Sequence, residues 1–213
     1  MADHPGEHRH EGLHQDPDDG PPRDLRRDPR ALSLEREDTL LLVIDVQERL
    51  ALAMEPAALS AMTAALGLLL RAAARLGLPI VATEQDRAAL GPTLPLVAAL
   101  LPAPPLPKLE YSAGNNREIA RAVLQSGRRQ VLLAGFEAHV CVFQTARDLV
   151  RGGLAAFVVE DAVLSRRERD QKLGLRLCER AGATVTGVEA AIYDLLGRAG
   201  TEEHRDLAQL LER

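Results

Sequence analysis

Tryptophan is absent from this sequence of 213 residues, and aromatic residues make up only 2% of it. So few aromatic side chains leave little for the stacking platforms on which single-stranded nucleic acids bind. The formal net charge of −5 likewise argues against a basic surface for a phosphate backbone. We therefore expect no nucleic-acid partner.

Long uninterrupted apolar runs are also missing. The first thirty residues are polar and contain no apolar segment of the kind found in signal peptides. The most apolar long stretch, residues 57–78, is interrupted by Arg71 and Arg75. We predict that this stretch forms a buried helix and that the protein has no membrane partner.

Cysteine is rare, and the motifs of nucleotide-binding sites are absent. The two cysteines, Cys141 and Cys178, occur without a secretion signal, which favours reduced thiols and a cytoplasmic location. No G-x-G-x-x-G or P-loop pattern occurs, so no nucleotide cofactor is expected. We interpret Cys178, which lies in a helical pattern, as a core residue.

The N-terminal segment differs from the rest of the chain. Residues 1–30 are rich in His, Asp, Pro, Gly and Arg, and Leu13 and Leu25 are their only large apolar residues. Such a segment cannot bury enough surface to offset the entropy of ordering, so we predict a disordered polar tail. A metal-binding role for its histidines is an alternative, but their spacing matches no closed site. Residues 31–213 then form one domain.

Strand and helix patterns alternate from Leu40 onward. Apolar runs predict strands at 40–44, 79–83, 130–135, 155–159 and 183–186, with a short strand near Lys108. Helical spacing, caps and breakers predict helices at 56–76, 116–124, 142–150, 169–180, 189–196 and 202–211. The Pro- and Gly-rich segment 91–107 is expected to resist regular structure. This order predicts an α/β fold, a three-layer αβα (Rossmann-like) domain with a mostly parallel sheet of about six strands.

Two chemically useful side chains follow predicted strand ends. Asp45 comes directly after one strand, and Cys141 lies between another and the helix after it. The carboxyl ends of parallel strands line the ligand crevice of such sheets, so we group the two residues. A thiol at a helix N-terminus is expected to favour the thiolate. Taken alone, however, Asp45 could be a capping carboxylate and Cys141 a small buried hydrophobe.

Lys108 is the third candidate, because it lies in an apolar setting, Leu106-Pro107-Lys108-Leu109. An ammonium group there could keep a carboxylate charged and stabilise a thiolate. An ordinary surface lysine is the alternative.

Several separated motifs resemble the isochorismatase-like cysteine hydrolase superfamily. They are Leu42-Val43-Ile44-Asp45-Val46-Gln47-Glu48, Lys108 with Tyr111-Ser112-Ala113, Gly135-Phe136-Glu137-Ala138-His139-Val140-Cys141-Val142-Phe143-Gln144-Thr145-Ala146, Asp161-Ala162-Val163-Leu164-Ser165-Arg166, and Glu189. The resemblance covers about residues 40–196, and the order Asp, Lys, Cys agrees with the family.

The resemblance implies a catalytic triad. Cys141 would attack a carbonyl or related electrophile and form a thioester, with Asp45 as general base and acid. Lys108 would orient Asp45 and favour the ionised pair. The backbone N–H groups of Glu137 and Cys141 would form the oxyanion hole, next to a cis peptide bond at Phe136–Glu137.

The resemblance also selects a branch of the superfamily. Nicotinamidases bind a metal through an Asp-x-His segment after the second strand, whereas this chain has Thr83-Glu84-Gln85-Asp86 there. We therefore expect no catalytic metal, no other cofactor, and a place among the isochorismatase domain-containing proteins. Glu84 and Gln85 are candidates for contact with substrate or for bracing a loop.

Two further pocket candidates come from the same motifs. Tyr111 stands where the family pattern has phenylalanine and could add a hydroxyl at the pocket rim. His139 is assigned to the pocket wall or to structure, because the family logic gives proton transfer to Asp45.

The sequence thus predicts a hydrolase that cleaves a small amide, ester or related C–N bond, with a small-molecule substrate and a homo-oligomeric state implied by the resemblance. The alternatives are a catalytically idle binding or assembly protein and a redox-sensing thiol protein on the same fold.

Overall fold

A six-stranded, entirely parallel sheet forms the centre of the protein in the computed structural model, which describes residues 32–211. Its strands are β1 (Thr39–Ile44), β2 (Ile80–Gln85), β3 (Leu106–Lys108), β4 (Gln130–Phe136), β5 (Ala155–Leu164) and β6 (Thr184–Thr186). Their spatial order is β3-β2-β1-β4-β5-β6. The predicted tail, residues 1–30, lies outside the described residues.

Helices cover both faces of this sheet, which confirms the three-layer α/β prediction. They are α1 (Glu48–Ala51), α2 (Pro56–Leu76), α3 (Arg87–Leu90), α4 (Pro95–Ala98), α5 (Arg117–Gln125), α6 (Phe143–Arg151), α7 (Glu168–Arg180), α8 (Val188–Leu196) and α9 (Glu202–Leu211). One apolar core joins the sheet to α2, α8 and α9, and the other joins it to α5, α6 and α7.

The burial of β1 explains why its residues after Thr39, Leu40 to Ile44, are all apolar. Leu41 and Val43 point into the first core, while Leu40, Leu42 and Ile44 point into the second. Alternate residues of a strand face opposite sides, so a central parallel strand has no polar face.

Helix α2 shows how local sequence sets the ends of an element. Pro56 occupies its first turn, and the Glu55 side chain accepts hydrogen bonds from the N–H groups of Ala57 and Ala58. Gly77 ends it with a left-handed φ of 72°. By length and composition α2 could cross a membrane, but eight of its residues are buried in this fold.

Three sequence predictions about elements need correction. Strand β5 continues to Leu164, because Glu160 and Asp161 remain in the strand as exposed residues rather than ending it. Strand β2 continues through Gln85. The segment predicted to be irregular contains α4, since Pro95 starts a helical turn where its missing N–H is not needed.

The sheet order reverses at β1, which has β2 on one side and β4 on the other. This is the switch point at which ligands bind in open α/β sheets. Gly135 allows an unusually close approach there: it has a φ of 117°, and a Cβ on it would lie 2.0 Å from the Ile44 carbonyl oxygen. The carboxyl ends of β1 and β4 are therefore held in direct backbone contact.

Candidate active site

A buried ion pair lies at the switch point. Lys108 Nζ is 2.6 Å from Asp45 Oδ2, and both side chains are fully enclosed. Asp45 follows β1 with a φ of 49°, and its backbone N–H donates to the Thr83 carbonyl on β2. Lys108 ends β3. The pair therefore spans the end of β2, which lies between the strands that carry its two members.

The Lys108 ammonium has acceptors in addition to the carboxylate. It donates to Gln85 Oε1 at 3.2 Å and to the carbonyl oxygens of Glu110 at 3.0 Å and Tyr111 at 3.3 Å. A buried charge is tolerated only when it is paired and hydrogen-bonded, and Lys108 meets both conditions.

Cys141 lies beside this pair, in a π-helical turn that spans Ala138–Val142 and precedes α6. Its thiol donates to Gln85 Oε1 at 3.2 Å, and the residue is 6% exposed. The structure thus brings the three predicted triad residues, Asp45, Lys108 and Cys141, to one place.

The expected thiolate is not the resting form of this site. Burial, followed by the charge of the Asp45 carboxylate, raises the pKa of Cys141 to about 12, and the nearby Lys108 only partly opposes this. The helix terminus and Lys108 were expected to favour the thiolate, but enclosure of the sulfur and the Asp45 carboxylate outweigh them. Cys141 is therefore a neutral thiol at physiological pH.

Alternate side chains at the end of β2 point to opposite sides of the sheet. Thr83 and Gln85 face the site, where Thr83 Oγ1 donates to Asp45 Oδ1 at 2.7 Å and Gln85 meets Lys108 and Cys141. The Glu84 side chain points to the opposite side, away from Lys108 and Cys141.

Glu84 braces the loop that follows β2. Its Oε1 accepts from the backbone N–H and the hydroxyl of Thr93 at 2.7 and 2.8 Å, and its Oε2 accepts from Arg87 at 2.6 Å. Both oxygens are thus occupied within the protein. These contacts favour the loop-bracing interpretation of Glu84 over contact with substrate.

Gln47 holds the backbone of Gln85 from both directions. Its Nε2 donates to the Gln85 carbonyl at 3.0 Å and to the Gly91 carbonyl at 2.7 Å, while its Oε1 accepts from the Gln85 N–H at 2.8 Å. The residue is fully buried. It therefore links the segments that follow β1 and β2.

The Phe136–Glu137 peptide bond is cis, as the resemblance predicts. It joins β4 to the turn that carries Cys141. The Glu137 carboxylate accepts from Arg166 Nε at 2.9 Å and from the Arg166 backbone N–H at 3.3 Å, which ties this junction to the end of β5. The oxyanion hole formed by the N–H groups of Glu137 and Cys141 stays a prediction.

The two remaining pocket candidates lie at different depths. His139 is half-buried, and its Nδ1 is 3.0 Å from Ser165 Oγ, so it connects the turn of Cys141 to the segment after β5. The Tyr111 side chain is 56% exposed, while its backbone carbonyl contacts Lys108. The tyrosine thus contributes to the ion pair through its main chain.

Helix α7 packs against the backbone of the same turn. A Cβ on Gly174 would lie 2.5 Å from the carbonyl carbon of Ala138 and from the nitrogen of His139. Only glycine permits this approach, so Gly174 supports the position of Cys141 by packing.

Thr83 and Gln47 are polar contacts of the site that the sequence reasoning did not assign. For Thr83 the available signal was spacing, since it lies two residues before Gln85 on the same face of β2. Gln47 offered no such signal, because the chain turns between Asp45 and Gln47. Among residues 32–211, no group of three or more His, Cys, Asp or Glu side chains is arranged to hold a metal ion.

Comparisons with known proteins agree with this architecture. Residues 39–190 match the family model described as isochorismatase domain. Isochorismatase domain-containing protein 2 from Bos taurus is 35% identical over 147 residues, which cover 68% of this chain and 70% of that protein. Isochorismatase domain-containing protein 2A from Mus musculus is 31% identical over 181 residues, which cover 83% of this chain and 84% of that protein.

Solved structures give the same result. A structure described as MAR1 ribonuclease from Caenorhabditis elegans superposes with a TM-score of 0.79 at 31% identity, covering 85% of this chain and 93% of that one. The YcaC gene product of Escherichia coli, described as an octameric hydrolase of unknown specificity, has a TM-score of 0.75 at 23% identity and covers 85% and 95%. The second likeness concerns the fold alone.

Proposed function

The chain belongs to the isochorismatase family, and from that premise we propose that it is a metal-independent cysteine hydrolase of a small amide, ester or related C–N bond. Family membership supports hydrolase activity in general. The more specific assignment, with Asp45, Lys108 and Cys141 as catalytic residues, is supported by the geometry at the switch point.

The observation that carries this proposal is the buried Lys108–Asp45 ion pair next to the Cys141 thiol. An ion pair in a protein interior often contributes no more stability than apolar residues of the same volume would. A fold that served only as a scaffold would gain little from burying these charges beside a thiol. A nucleophile, a proton acceptor and a cation are what thioester chemistry requires.

The first step follows from the protonated resting thiol. Because the pKa of Cys141 is about 12, little thiolate exists at neutral pH, and the proton must leave as the sulfur attacks. We assign this proton to Asp45. The C–S bond forms while the carbonyl π pair moves onto oxygen, and Lys108 offsets the negative charge near the reacting atoms.

The second step returns the proton. Asp45 protonates the leaving amine or alcohol as the C–N or C–O bond breaks, which leaves an acyl group on Cys141. Water then attacks this thioester, Asp45 accepts its proton, and transfer of that proton to the departing sulfur restores the thiol. The N–H groups of Glu137 and Cys141 are proposed to stabilise the oxyanion in both steps.

The test is intact-mass spectrometry after incubation with a panel of small amides and esters. The wild type should gain one acyl group, Cys141→Ala none, and the matched variant Cys178→Ala one, because Cys178 is fully buried and neither Asp45 nor Lys108 is among the groups that shift the pKa of its thiol. Absence of adduct and of turnover in the wild type would favour the binding-protein alternative. Modification of both cysteines would refute the assignment of the nucleophile.

The redox-sensing alternative is weakened by the state of the thiol. Sensor cysteines are accessible and have a low pKa, whereas Cys141 is buried and has a raised one. Cleavage of RNA is tested in a separate assay, since a similar structure is described as a ribonuclease. We expect no cleavage, because the chain is acidic and poor in aromatic residues.

We also propose that the protein forms homo-oligomers. The segment after Lys108 exposes the large side chains of Leu109 and Tyr111, which are 76% and 56% exposed. A second copy could cover them, and the E. coli neighbour is described as octameric. Light scattering coupled to size-exclusion chromatography measures the oligomeric state, and a monomer at all concentrations would refute the proposal.

The cytoplasmic location stays a prediction, and cell fractionation would test it.

A further inference from the structure

Gln85 contacts two of the three proposed catalytic residues through one atom. Its Oε1 accepts from Lys108 Nζ at 3.2 Å and from the Cys141 thiol at 3.2 Å. Thr83, two residues earlier on the same strand face, contacts the third, Asp45. Strand β2 thus touches the whole group without supplying a reacting atom.

The orientation of the Gln85 amide follows from its partners. An ammonium group only donates hydrogen bonds, so the amide must turn its oxygen, not its NH₂, toward Lys108. The same oxygen faces Cys141. A carbonyl oxygen accepts from S–H but repels a thiolate, so this arrangement stabilises the protonated form of the nucleophile.

The position of Gln85 is fixed from behind. Gln47 binds both its N–H and its carbonyl, and Gln47 is itself fully buried. The side chain of Gln85 is therefore carried by a segment with little freedom to withdraw from the thiol.

We propose that Gln85 is a positioning residue that holds the Cys141 sulfur beside the ion pair as a neutral thiol between turnovers. Gln47 and Lys108 keep its carbonyl oxygen directed at the sulfur. The thiol is thereby guarded against electrophiles and oxidants until bound substrate allows proton transfer to Asp45. The role in turnover rests on the proposed function, but the hold on the thiol does not need turnover to be measured.

The test is the rate of alkylation by iodoacetamide at pH 8, followed by mass spectrometry in a Cys178→Ala background. In Gln85→Met the side chain keeps its length but loses the acceptor, and the rate should rise about three- to tenfold. In Gln85→Glu the added negative charge further disfavours thiolate, and the rate should fall. The exposed Gln125 provides the matched control, since Gln125→Met should leave the rate unchanged.

A second pair of measurements separates positioning from other roles. Gln47→Leu should also speed alkylation, although Gln47 does not contact the thiol, because the grip on Gln85 is lost. With a substrate from the panel, Gln85→Met should lower kcat and change KM less than about twofold. A simple structural role would lower the melting temperature without opposite rate changes in Gln85→Met and Gln85→Glu.

Three results would overturn the inference: equal alkylation rates in the wild type and Gln85→Met, rates that change in the same direction in Gln85→Met and Gln85→Glu, or an increase in KM alone. If one variant fails to fold, the other still tests the sign of the effect. Failure of the proposed function is distinct, because it appears as turnover that survives Cys141→Ala while the alkylation rates still change as expected.

Discussion

The contact of Gly174 with the turn that carries Cys141 tests whether helix packing sets the position of the sulfur. Replacing a helical glycine by alanine normally stabilises a helix by about 0.8–1 kcal/mol. At Gly174 the new methyl group would lie 2.5 Å from backbone atoms of Ala138 and His139. Carbon atoms pack at about 3.5–4.0 Å, so helix and turn must separate by about 1 Å.

The two effects oppose each other, and their magnitudes decide the sign. Overpacking typically costs about 1–3 kcal/mol, which exceeds the gain in helix propensity. We expect Gly174→Ala to lower the free energy of unfolding by up to about 2 kcal/mol and the melting temperature by up to about 8 °C. Because the displaced turn carries Cys141, the rate of acyl-adduct formation should fall by up to about 100-fold.

The chain offers a matched control in α2. A methyl group on Gly67 would meet only side chains, Arg71 at 3.2 Å and Leu100 at 3.8 Å, and these can move. Gly67→Ala should therefore raise the melting temperature or leave it unchanged, and adduct formation should be normal. Thermal unfolding and adduct yield are measured on both variants. If Gly174→Ala matches Gly67→Ala in both assays, the packing argument is refuted.

Three further predictions concern the ion pair and the thiols. Thr83→Val should lower the free energy of unfolding by about 1.5–3 kcal/mol, because Asp45 loses a buried donor, whereas Thr83→Ser should be near wild type in chemical denaturation. Lys108→Met should cost about 3–5 kcal/mol by leaving Asp45 buried without its cation, and Asp45→Asn in the same chain should recover part of that loss. Cys141 and Cys178 both have pKa values raised to about 12, so the folded state keeps protons that the unfolded state releases above about pH 8.5. Stability should therefore fall with rising pH by about 1.4 kcal/mol per unit for each cysteine, and Cys178→Ala should show a smaller slope.

Each of these has a result that would count against it. Equal stabilities of Thr83→Val and Thr83→Ser would mean that the hydroxyl contributes nothing to holding Asp45. A double variant no more stable than Lys108→Met would locate the cost in packing rather than charge. An unchanged pH slope in Cys178→Ala between about pH 8.5 and pH 10 would contradict the raised thiol pKa.

The sequence predicts the sheet well, because buried parallel strands are continuous apolar runs. The run before Asp45 identifies β1, and of the two candidate caps Asn115 and Asn116 the structure uses Asn116 for α5. The extent of β5 could not be predicted, because the exposed pair Glu160-Asp161 looks like a strand end while the partner residues in β4 continue to hold the strand. Local patterns do not include such partners.

The candidate site shows the same limit. The motifs group Asp45, Lys108 and Cys141, and the structure pairs Lys108 with Asp45 and brings the Asp45 carboxylate to the Cys141 thiol. The state of the thiol was not predictable, because its pKa depends chiefly on how fully the fold encloses the sulfur. Gln47 and Thr83 were missed because their roles depend on hydrogen bonds to residues at the end of the neighbouring strand, Gln85 and Asp45 respectively.

The close approach at Gly135 has a consequence for evolution and engineering. The segment that leads to Asp45 and the segment that leads to Cys141 are spaced by main-chain contact between neighbouring strands, where no side chain can be accommodated. Mutations can therefore change the surrounding loops, including residues 86–105. Single side-chain substitutions there do not alter the spacing between the ends of β1 and β4. A library aimed at new substrates should therefore keep Gly135 constant, because any side chain there would push apart the strands that lead to Asp45 and Cys141.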